Sequence, residues 1–224
     1  MKKRYWAFLI GSWCLSVGMQ AAKVDTLSVH SDAMDKEVQV ITICPDKAMA
    51  GEKCPVLYLL HGYGGNAGTW LGIKPELPQI ADKEGIIFVC PDGKNSWYWD
   101  SPLNKEYRYE TFVSKELVNY IDKNFTTKVE RGGRAITGLS MGGHGSLWLS
   151  IRHKDVFGGG GSMSGGLDIR PFPNNWEMKK QLGEEASNKQ RWDEHTVINQ
   201  LDKIKNGDLA VIIDCGCDDF FLEV

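Results

Sequence analysis

The chain has 224 residues, of which 42% are hydrophobic and 25% are charged, and its formal net charge is −3 at pH 7. These proportions are those of a globular protein with one good-sized domain, and they exclude wholesale disorder. A mildly acidic chain without a basic run also argues against nucleic acid as the main partner.

The N-terminus has the layout of a secretory signal. Basic residues at 2–4 precede an apolar stretch over 5–19, and Ala21 and Ala22 offer small residues for cleavage. The apolar stretch is shorter than the roughly 18–20 residues that cross a bilayer, which disfavours a permanent anchor. We therefore predict a signal peptide over 1–21 and an exported protein, periplasmic or extracellular, with no membrane association once the signal is removed.

Apolar runs further along the chain predict a sheet. Residues 26–31 and 37–44 alternate like antiparallel strands, whereas four later runs are continuously apolar. Continuous runs are typical of strands buried on both faces of a parallel sheet, and helical spacing occurs between them. The pattern predicts one α/β domain over 22–224 with right-handed crossovers. The four continuous runs are 56–60, 86–90, 135–137 and 209–213.

Two later segments modify this plan. The four glycines at 158–161 look like a flexible linker, but they lead into Ser162 after a predicted helix. A strand that allows close backbone approach is the better interpretation. The polar stretch at about 166–208 lies between two predicted strands, and we interpret it as a lid-like insertion over one end of the sheet.

The chain has six cysteines, of which Cys14 lies within the predicted signal. An odd number then remains, so at least one thiol stays unpaired in an oxidising compartment. Cys44 ends one predicted strand and Cys54 precedes another, so a disulfide across the turn is one possibility and buried thiols are the other. No cysteine or histidine spacing fits a metal site. We expect no metal and no cofactor.

The most informative segment is 138–142, where the sequence reads G-L-S-M-G. G-x-S-x-G between a strand and a helix is typical of a serine nucleophile on a sharp turn. An ordinary glycine-rich turn is the alternative. The sharp turn needs small residues because side chains there would collide with neighbouring backbone, and it exposes the hydroxyl at a helix N-terminus. We predict Ser140 as the nucleophile.

A serine nucleophile also needs backbone donors for the oxyanion that forms on its substrate. One donor is the N–H of the following residue, Met141. The sequence H-G-Y-G-G at 61–65 follows an earlier predicted strand and forms a loop able to aim a second N–H. We predict Tyr63 for this role, with Gly62 as the alternative. His61 is a candidate base, but a packed histidine that shapes the loop is the better interpretation.

Five motifs occur in a fixed order: HGYGG from 61, PDGKNSWYWDSP from 91, GLSMGGHG from 138, SMSGGLD from 162 and DCGCDDF from 214. Together they resemble the esterase D family of α/β-hydrolases, which includes S-formylglutathione hydrolases, feruloyl and acetylxylan esterases, and mycolyltransferases. The resemblance covers about 25–224. It implies an α/β-hydrolase fold, with a mostly parallel central sheet, an antiparallel N-terminal edge and helices on both faces. It also implies a Ser–Asp–His triad that acts through an acyl-enzyme.

The family pattern places the triad acid directly before a phenylalanine in the loop after the late strand. That position is Asp219, and Asp218 is the alternative. In this fold the histidine follows the acid, whereas all five histidines of the chain precede both candidates. We therefore expect the triad histidine and the C-terminal part of the fold to be missing from this chain, which leaves the sheet edge at 209–213 uncovered. His195 from the insertion is the alternative base.

The resemblance and the predicted export imply a serine carboxylic-ester hydrolase that acts on plant cell-wall acyl esters, either feruloyl or acetyl esters of polysaccharide. The expected partner is a small-molecule or polysaccharide-linked ester. Trp97, Tyr98 and Trp99 follow a strand end and are candidates for stacking on a feruloyl ring or a sugar, with core packing as the alternative. S-formylglutathione hydrolase-like or acyltransferase activity at the same site is a second possibility. A catalytically inactive binding domain is the third.

Overall fold

The structure is a computed structural model that describes residues 22–222, so the predicted signal peptide at 1–21 lies outside the described residues. A seven-stranded sheet with the order β1-β2-β4-β3-β5-β6-β7 runs through it. β2 is antiparallel to both β1 and β4, and all other neighbours are parallel. The prediction of a mostly parallel sheet with an antiparallel N-terminal edge is confirmed. The strands are β1 Lys23–Ser31, β2 Lys36–Cys44, β3 Val56–Leu60, β4 Ile87–Pro91, β5 Arg134–Leu139, β6 Gly159–Met163 and β7 Ala210–Asp214.

Helices separate the strands from β2 onwards. A π-helical segment, Phe112–Leu117, joins two of the α-helices into one continuous helix, and Ser114 Oγ donates to the Glu110 carbonyl within it at 2.6 Å. No helix within residues 22–222 combines the length and the apolar character needed to cross a membrane. The α-helices are α1 Asp46–Met49, α2 Thr69–Ile73, α3 Leu77–Glu84, α4 Tyr109–Thr111, α5 Val118–Asn124, α6 Met141–Arg152, α7 Met178–Leu182 and α8 Lys189–Glu194.

Both faces of the sheet are covered by helices. Leu59 and Leu60 are neighbours on β3 and therefore point to opposite faces, and they belong to separate hydrophobic clusters. The cluster of Leu60 includes Trp148 of α6 and residues of the α4–α5 helix, whereas the cluster of Leu59 includes Trp70 of α2 and Leu77 of α3. The α/β-hydrolase layering implied by the resemblance is confirmed.

The glycine run forms a strand and not a linker, as predicted. A Cβ at Gly160 would lie 2.2 Å from Ser150 Oγ on α6, and a Cβ at Gly161 would lie 2.6 Å from Thr137 Oγ1 on β5. The backbone of β6 therefore lies closer to its neighbours than any side chain would allow. The glycines set how closely α6 packs on the sheet.

The segment between β6 and β7 corresponds to the predicted insertion at about 166–208. It contains α7, α8 and the 3₁₀ segments Glu185–Ser187 and Val197–Lys203. Met178, Leu182 and Trp192 anchor it, since each is fully buried. Its interpretation as a lid-like insertion over one end of the sheet stays a prediction.

β7 forms one edge of the sheet and is exposed. Ile212 is 75% exposed, and Val211 and Ile213 are also largely exposed. Edge strands carry unpaired backbone groups, and an apolar edge strand is prone to pair with other chains. Among the described residues, the sheet edge at 209–213 is uncovered, as expected.

Cys44 and Cys54 are separate, buried thiols in the structure. Burial raises the pKa of both groups above the ordinary value of a thiol. The sequence left a disulfide and buried thiols as alternatives, and the structure has buried thiols, which behave as small apolar side chains.

Candidate active site

Ser140 lies in a strained turn between β5 and α6. Its φ is 54° and its ψ is −119°, a combination that residues other than glycine rarely adopt. The Ser140 N–H donates to the Met163 carbonyl of β6 at 2.9 Å, and the Ser140 carbonyl accepts from the His144 N–H of α6 at 3.0 Å. Neighbouring elements therefore hold the strain in place. The strand, turn and helix occur as the G-x-S-x-G pattern requires.

Glycines on both sides of Ser140 are required by close backbone contacts. A Cβ at Gly138 would lie 2.3 Å from the Gly142 carbonyl oxygen, and a Cβ at Gly142 would lie 2.2 Å from the Leu60 carbonyl oxygen. Both distances are far below van der Waals contact, and both partners are backbone atoms. The ends of β3 and β5 thus meet the start of α6 with no room for a side chain.

The loop after β3 lies against this turn. A Cβ at Gly62 would lie 3.5 Å from Ser140 Cβ, so the loop backbone passes beside the serine. The Gly64 N–H donates to Asn95 Oδ1 at 2.9 Å, which ties this loop to the loop after β4. The two loops therefore form one wall next to the predicted nucleophile.

The predicted oxyanion donors are the N–H groups of Tyr63 and Met141. Within residues 22–222, neither N–H donates to a protein acceptor. The Tyr63 side chain is partly exposed, and burial together with the neighbouring Glu177 carboxylate raises the pKa of its hydroxyl. The Lys180 ammonium pairs with the Glu177 carboxylate and lowers its pKa. Glu177 of the insertion therefore lies near Tyr63 in the loop after β3.

His61 is buried, and both of its ring nitrogens have backbone partners. The Gly93 N–H donates to Nε2 at 2.8 Å, so Nδ1 carries the proton and donates to the Gly62 carbonyl at 2.7 Å. These bonds fix the neutral tautomer and leave no ring nitrogen to accept a proton from Ser140. The geometry supports the interpretation of His61 as a residue that shapes the loop.

Trp97, Tyr98 and Trp99 are at most 1% exposed. The two tryptophan rings stack with centroids 5.6 Å apart, Trp99 Nε1 donates to His144 Nε2 at 2.9 Å, and the Tyr98 hydroxyl donates to the His61 carbonyl at 3.2 Å. Core packing, the alternative drawn from the sequence, therefore describes all three. A substrate could stack on them only if the core opened.

His144 lies on α6 four residues after Ser140 and is fully buried. Its Nδ1 donates to the Gly166 carbonyl at 2.8 Å, and its Nε2 accepts from Trp99. Burial lowers the pKa of His144 to about 3. The ring is therefore neutral, and it joins α6 to the loop after β6 as part of the scaffold.

We expect His144 to make the fold sensitive to acid. Its pKa is about 3 in the folded chain against an ordinary value of 6.5, so between these values only the unfolded chain binds the proton. Stability is retained above about pH 6.5 and lost toward pH 3, by up to about 1.4 kcal/mol per pH unit. Urea unfolding from about pH 7.5 to about pH 5 should show a flatter pH dependence for His144→Gln than for the wild type. Parallel curves for the two proteins would contradict this.

The other histidines lie away from Ser140. The His195 ring stacks on Trp148, with centroids 5.5 Å apart. Trp148 is eight residues further along α6 than Ser140, about 12 Å at the helical rise. His153 lies beyond the end of the same helix, and His30 is half-exposed on β1. Within residues 22–222, no hydrogen bond joins a histidine to the Ser140 hydroxyl.

Asp219 lies in the loop after β7, at the same end of the sheet as Ser140 and Tyr63. The strands that lead to these three residues are parallel, so their carboxyl ends meet at one edge, where α/β sheets bind ligands. Asp219 is half-buried and its Oδ1 accepts the Phe221 N–H at 2.9 Å, whereas Asp218 is exposed. Of the two positions predicted for the triad acid, this difference favours Asp219 over Asp218.

The sequence did not predict Asn95, Trp176 and Glu177 as neighbours of the site. Asn95 lies within one of the family motifs, but its bond to the Gly64 N–H joins two separate loops. Trp176 and Glu177 have φ angles of 47° and 55°, and neither is a glycine or an asparagine, the residues that most often adopt left-handed backbone. The turn could be found only from coordinates.

Comparison with known proteins agrees with this geometry. The sequence model of the Esterase family, described as "Putative esterase", matches residues 31–223. An acetyl esterase of Caldicellulosiruptor saccharolyticus is 26% identical over 88% of this chain and 81% of its own length. An S-formylglutathione hydrolase of Arabidopsis thaliana is 28% identical over 79% of this chain and 68% of its own length.

A solved structure of a ferulic acid esterase is 27% identical and covers 91% of this chain and 82% of its own, with a TM-score of 0.74. Three longer relatives are matched over 17% to 28% of their own length. The match to the family model extends over most of the chain, including both loops and the turn at Ser140. This chain belongs to the Esterase family, and it shares its α/β-hydrolase fold with the ferulic acid esterase.

Proposed function

We propose that this chain carries a serine carboxylic-ester hydrolase site that acts through an acyl-enzyme on Ser140. The strained backbone of Ser140 between β5 and α6 is the observation that carries the proposal, because such strain is retained where a site requires it. The N–H groups of Tyr63 and Met141 are the proposed oxyanion donors. Asp219 is the proposed carboxylate that orients the base.

In the first step, Ser140 Oγ bonds to the ester carbonyl carbon while a base takes the hydroxyl proton. The negative charge then moves to the carbonyl oxygen, where each backbone donor contributes about 2.7–4 kcal/mol to the transition state. The alcohol leaves with the proton from the protonated base, and the acyl group stays on Ser140. Water then attacks the acyl-enzyme in the same manner and releases the acid.

We propose that the base is not one of the five histidines of this chain. His61 and His144 use both ring nitrogens in hydrogen bonds within the scaffold. His195 and His153 pack near the far part of α6, and His30 lies on β1. A histidine outside these five would complete the triad.

The ester p-nitrophenyl acetate tests this proposal on the 224-residue chain. An incomplete triad leaves a rate about 10³–10⁴-fold above that of water, from binding and the oxyanion donors. We expect hydrolysis of this order, unchanged by His195→Ala. Hydrolysis at rates typical of an esterase, abolished by His195→Ala, would show instead that the insertion supplies the base.

We further propose that the protein is exported and acts on feruloyl or acetyl esters of plant cell-wall polysaccharide. Support comes from the predicted signal at 1–21 and from the likeness to an acetyl esterase and a ferulic acid esterase. A feruloylated arabinose should react in preference to S-formylglutathione. The reverse preference would favour the second candidate, the activity named for the Arabidopsis relative. A comparison of the products formed with and without an alcohol acceptor distinguishes hydrolysis from acyl transfer.

A further inference from the structure

Three aromatic side chains form a partly exposed surface, which we name the aromatic rim: Phe172, Trp176 and Phe220. The Trp176 and Phe220 rings stack, with their centroids 5.8 Å apart and an angle of 19° between their planes. The centroid of the Phe172 ring lies 5.3 Å from that of Trp176. Phe220 is 56% exposed, and the other two are half-buried. Phe221 packs against all three and is itself buried. The rim therefore has a buried inner side and an open outer side.

The order of the strands places the rim over the candidate active site. Phe220 belongs to the loop after β7, and Trp176 stacks on it. Trp97 lies in the loop after β4, and its Nε1 donates to the Trp176 carbonyl at 3.4 Å. β3, β5 and β6 lie between β4 and β7 in the sheet, and β5 leads to Ser140. A turn that contacts both outer loops therefore crosses the carboxyl end of the sheet where Ser140 lies.

The turn that carries Trp176 is held in a fixed geometry. Trp176 and Glu177 both have left-handed backbone, which persists only where surrounding contacts impose it. Trp97 Nε1 donates to the Trp176 carbonyl at 3.4 Å, Lys180 pairs with the Glu177 carboxylate, and Met178 is fully buried. A ring that is already held in place loses little freedom when a ligand stacks on it.

We infer that the aromatic rim binds the planar ring of an arylalkenoyl ester, such as a hydroxycinnamoyl ester, while its carbonyl lies at Ser140. The inference rests on the proposed function and selects the aromatic acyl group over the acetyl group. A conjugated acyl group offers a flat apolar face that stacks on the exposed side of Trp176 and Phe220, whereas an acetyl group offers none. The rim takes the role that the sequence had suggested for the buried aromatic residues at 97–99.

Binding of methyl ferulate to the full chain with Ser140→Ala tests the inference without turnover. We expect Trp176→Ala and Phe220→Ala each to weaken binding about tenfold in a calorimetric or saturation-transfer NMR titration, equivalent to about 1.4 kcal/mol. Leu222→Ala is the matched control, since Leu222 is 53% exposed in the same loop and is not aromatic. Trp176→Phe should keep most of the affinity, and near-ultraviolet circular dichroism verifies that each variant is folded.

Unchanged affinity in both folded rim variants would overturn the inference and leave the proposed function intact. The inference would also be overturned if methyl ferulate does not bind the Ser140→Ala chain while intact-mass spectrometry shows that an acetyl ester acylates Ser140 of the wild type. Variants that weaken binding of a xylo-oligosaccharide and not of methyl ferulate would assign the rim to the sugar and also overturn it. Failure of every ester to acylate Ser140 would count against the proposed function itself, and the ferulate titration would still report on the rim.

Discussion

Ser140→Ala is expected to abolish covalent labelling of the chain by a fluorophosphonate. These reagents bond to an activated serine, and the turn between β5 and α6 exposes Ser140 beside the N–H groups proposed as oxyanion donors. No described histidine is hydrogen-bonded to the Ser140 hydroxyl, so we expect labelling of the wild type to be slow. Added imidazole should accelerate it by acting as a base from solution. Intact-mass spectrometry over time measures both rates.

The control for this experiment is Ser187→Ala, which changes a serine in the 3₁₀ segment of the insertion and should label like the wild type. Because triad residues act as a unit, Ser140→Ala lowers kcat on the order of 10⁶-fold where a base is present. Where the base is already absent, the same substitution causes only a small further loss. Labelling that persists in Ser140→Ala and maps to another residue would show that Ser140 is not the nucleophile. Rapid labelling without imidazole, lost on substitution of one of the five histidines, would place the base within this chain.

The strands could be predicted from sequence because a strand buried on both faces is a local pattern. The predicted run 56–60 is β3 itself, and 209–213 differs from β7 by one residue at each end. The need for glycine at positions 138 and 142 was predictable for a related reason, because side chains at the sharp turn would collide with neighbouring backbone. Local constraints of this kind leave a direct trace in the residue types.

The aromatic rim could not be predicted in the same way. Trp97 and Trp99 have the composition of a ligand-binding motif, but whether an aromatic ring faces a ligand or the core depends on what the fold packs on it. Here the His144 ring of α6 packs against both of them. Trp176 gave no signal because it lies, like Phe172, in the polar stretch interpreted as an insertion. Its contact with Phe220 joins positions 44 residues apart, and nothing in either segment indicates the other.

Gly142→Ala is expected to destabilise the fold by about 3 kcal/mol or more. The new Cβ would lie 2.2 Å from the Leu60 carbonyl oxygen and 2.7 Å from that of His61. Both are backbone atoms at the end of β3, so the clash cannot be relieved by turning a side chain. Either the start of α6 or the end of β3 must move. The difference in the free energy of unfolding between variant and wild type, from urea denaturation, measures the cost.

Gly72→Ala is the matched control, because Gly72 lies in α2 and a Cβ there would meet nothing within 4 Å. Alanine favours a helix over glycine by up to about 1 kcal/mol, so this variant should be as stable as the wild type or more so. Equal losses in the two variants, or no loss in Gly142→Ala, would contradict the packing described at the turn. Movement of α6 would also displace the Met141 N–H next to Gly142. Gly142→Ala should therefore lose imidazole-dependent labelling of Ser140 even under conditions where the variant remains folded, which separates damage to the site from damage to the fold.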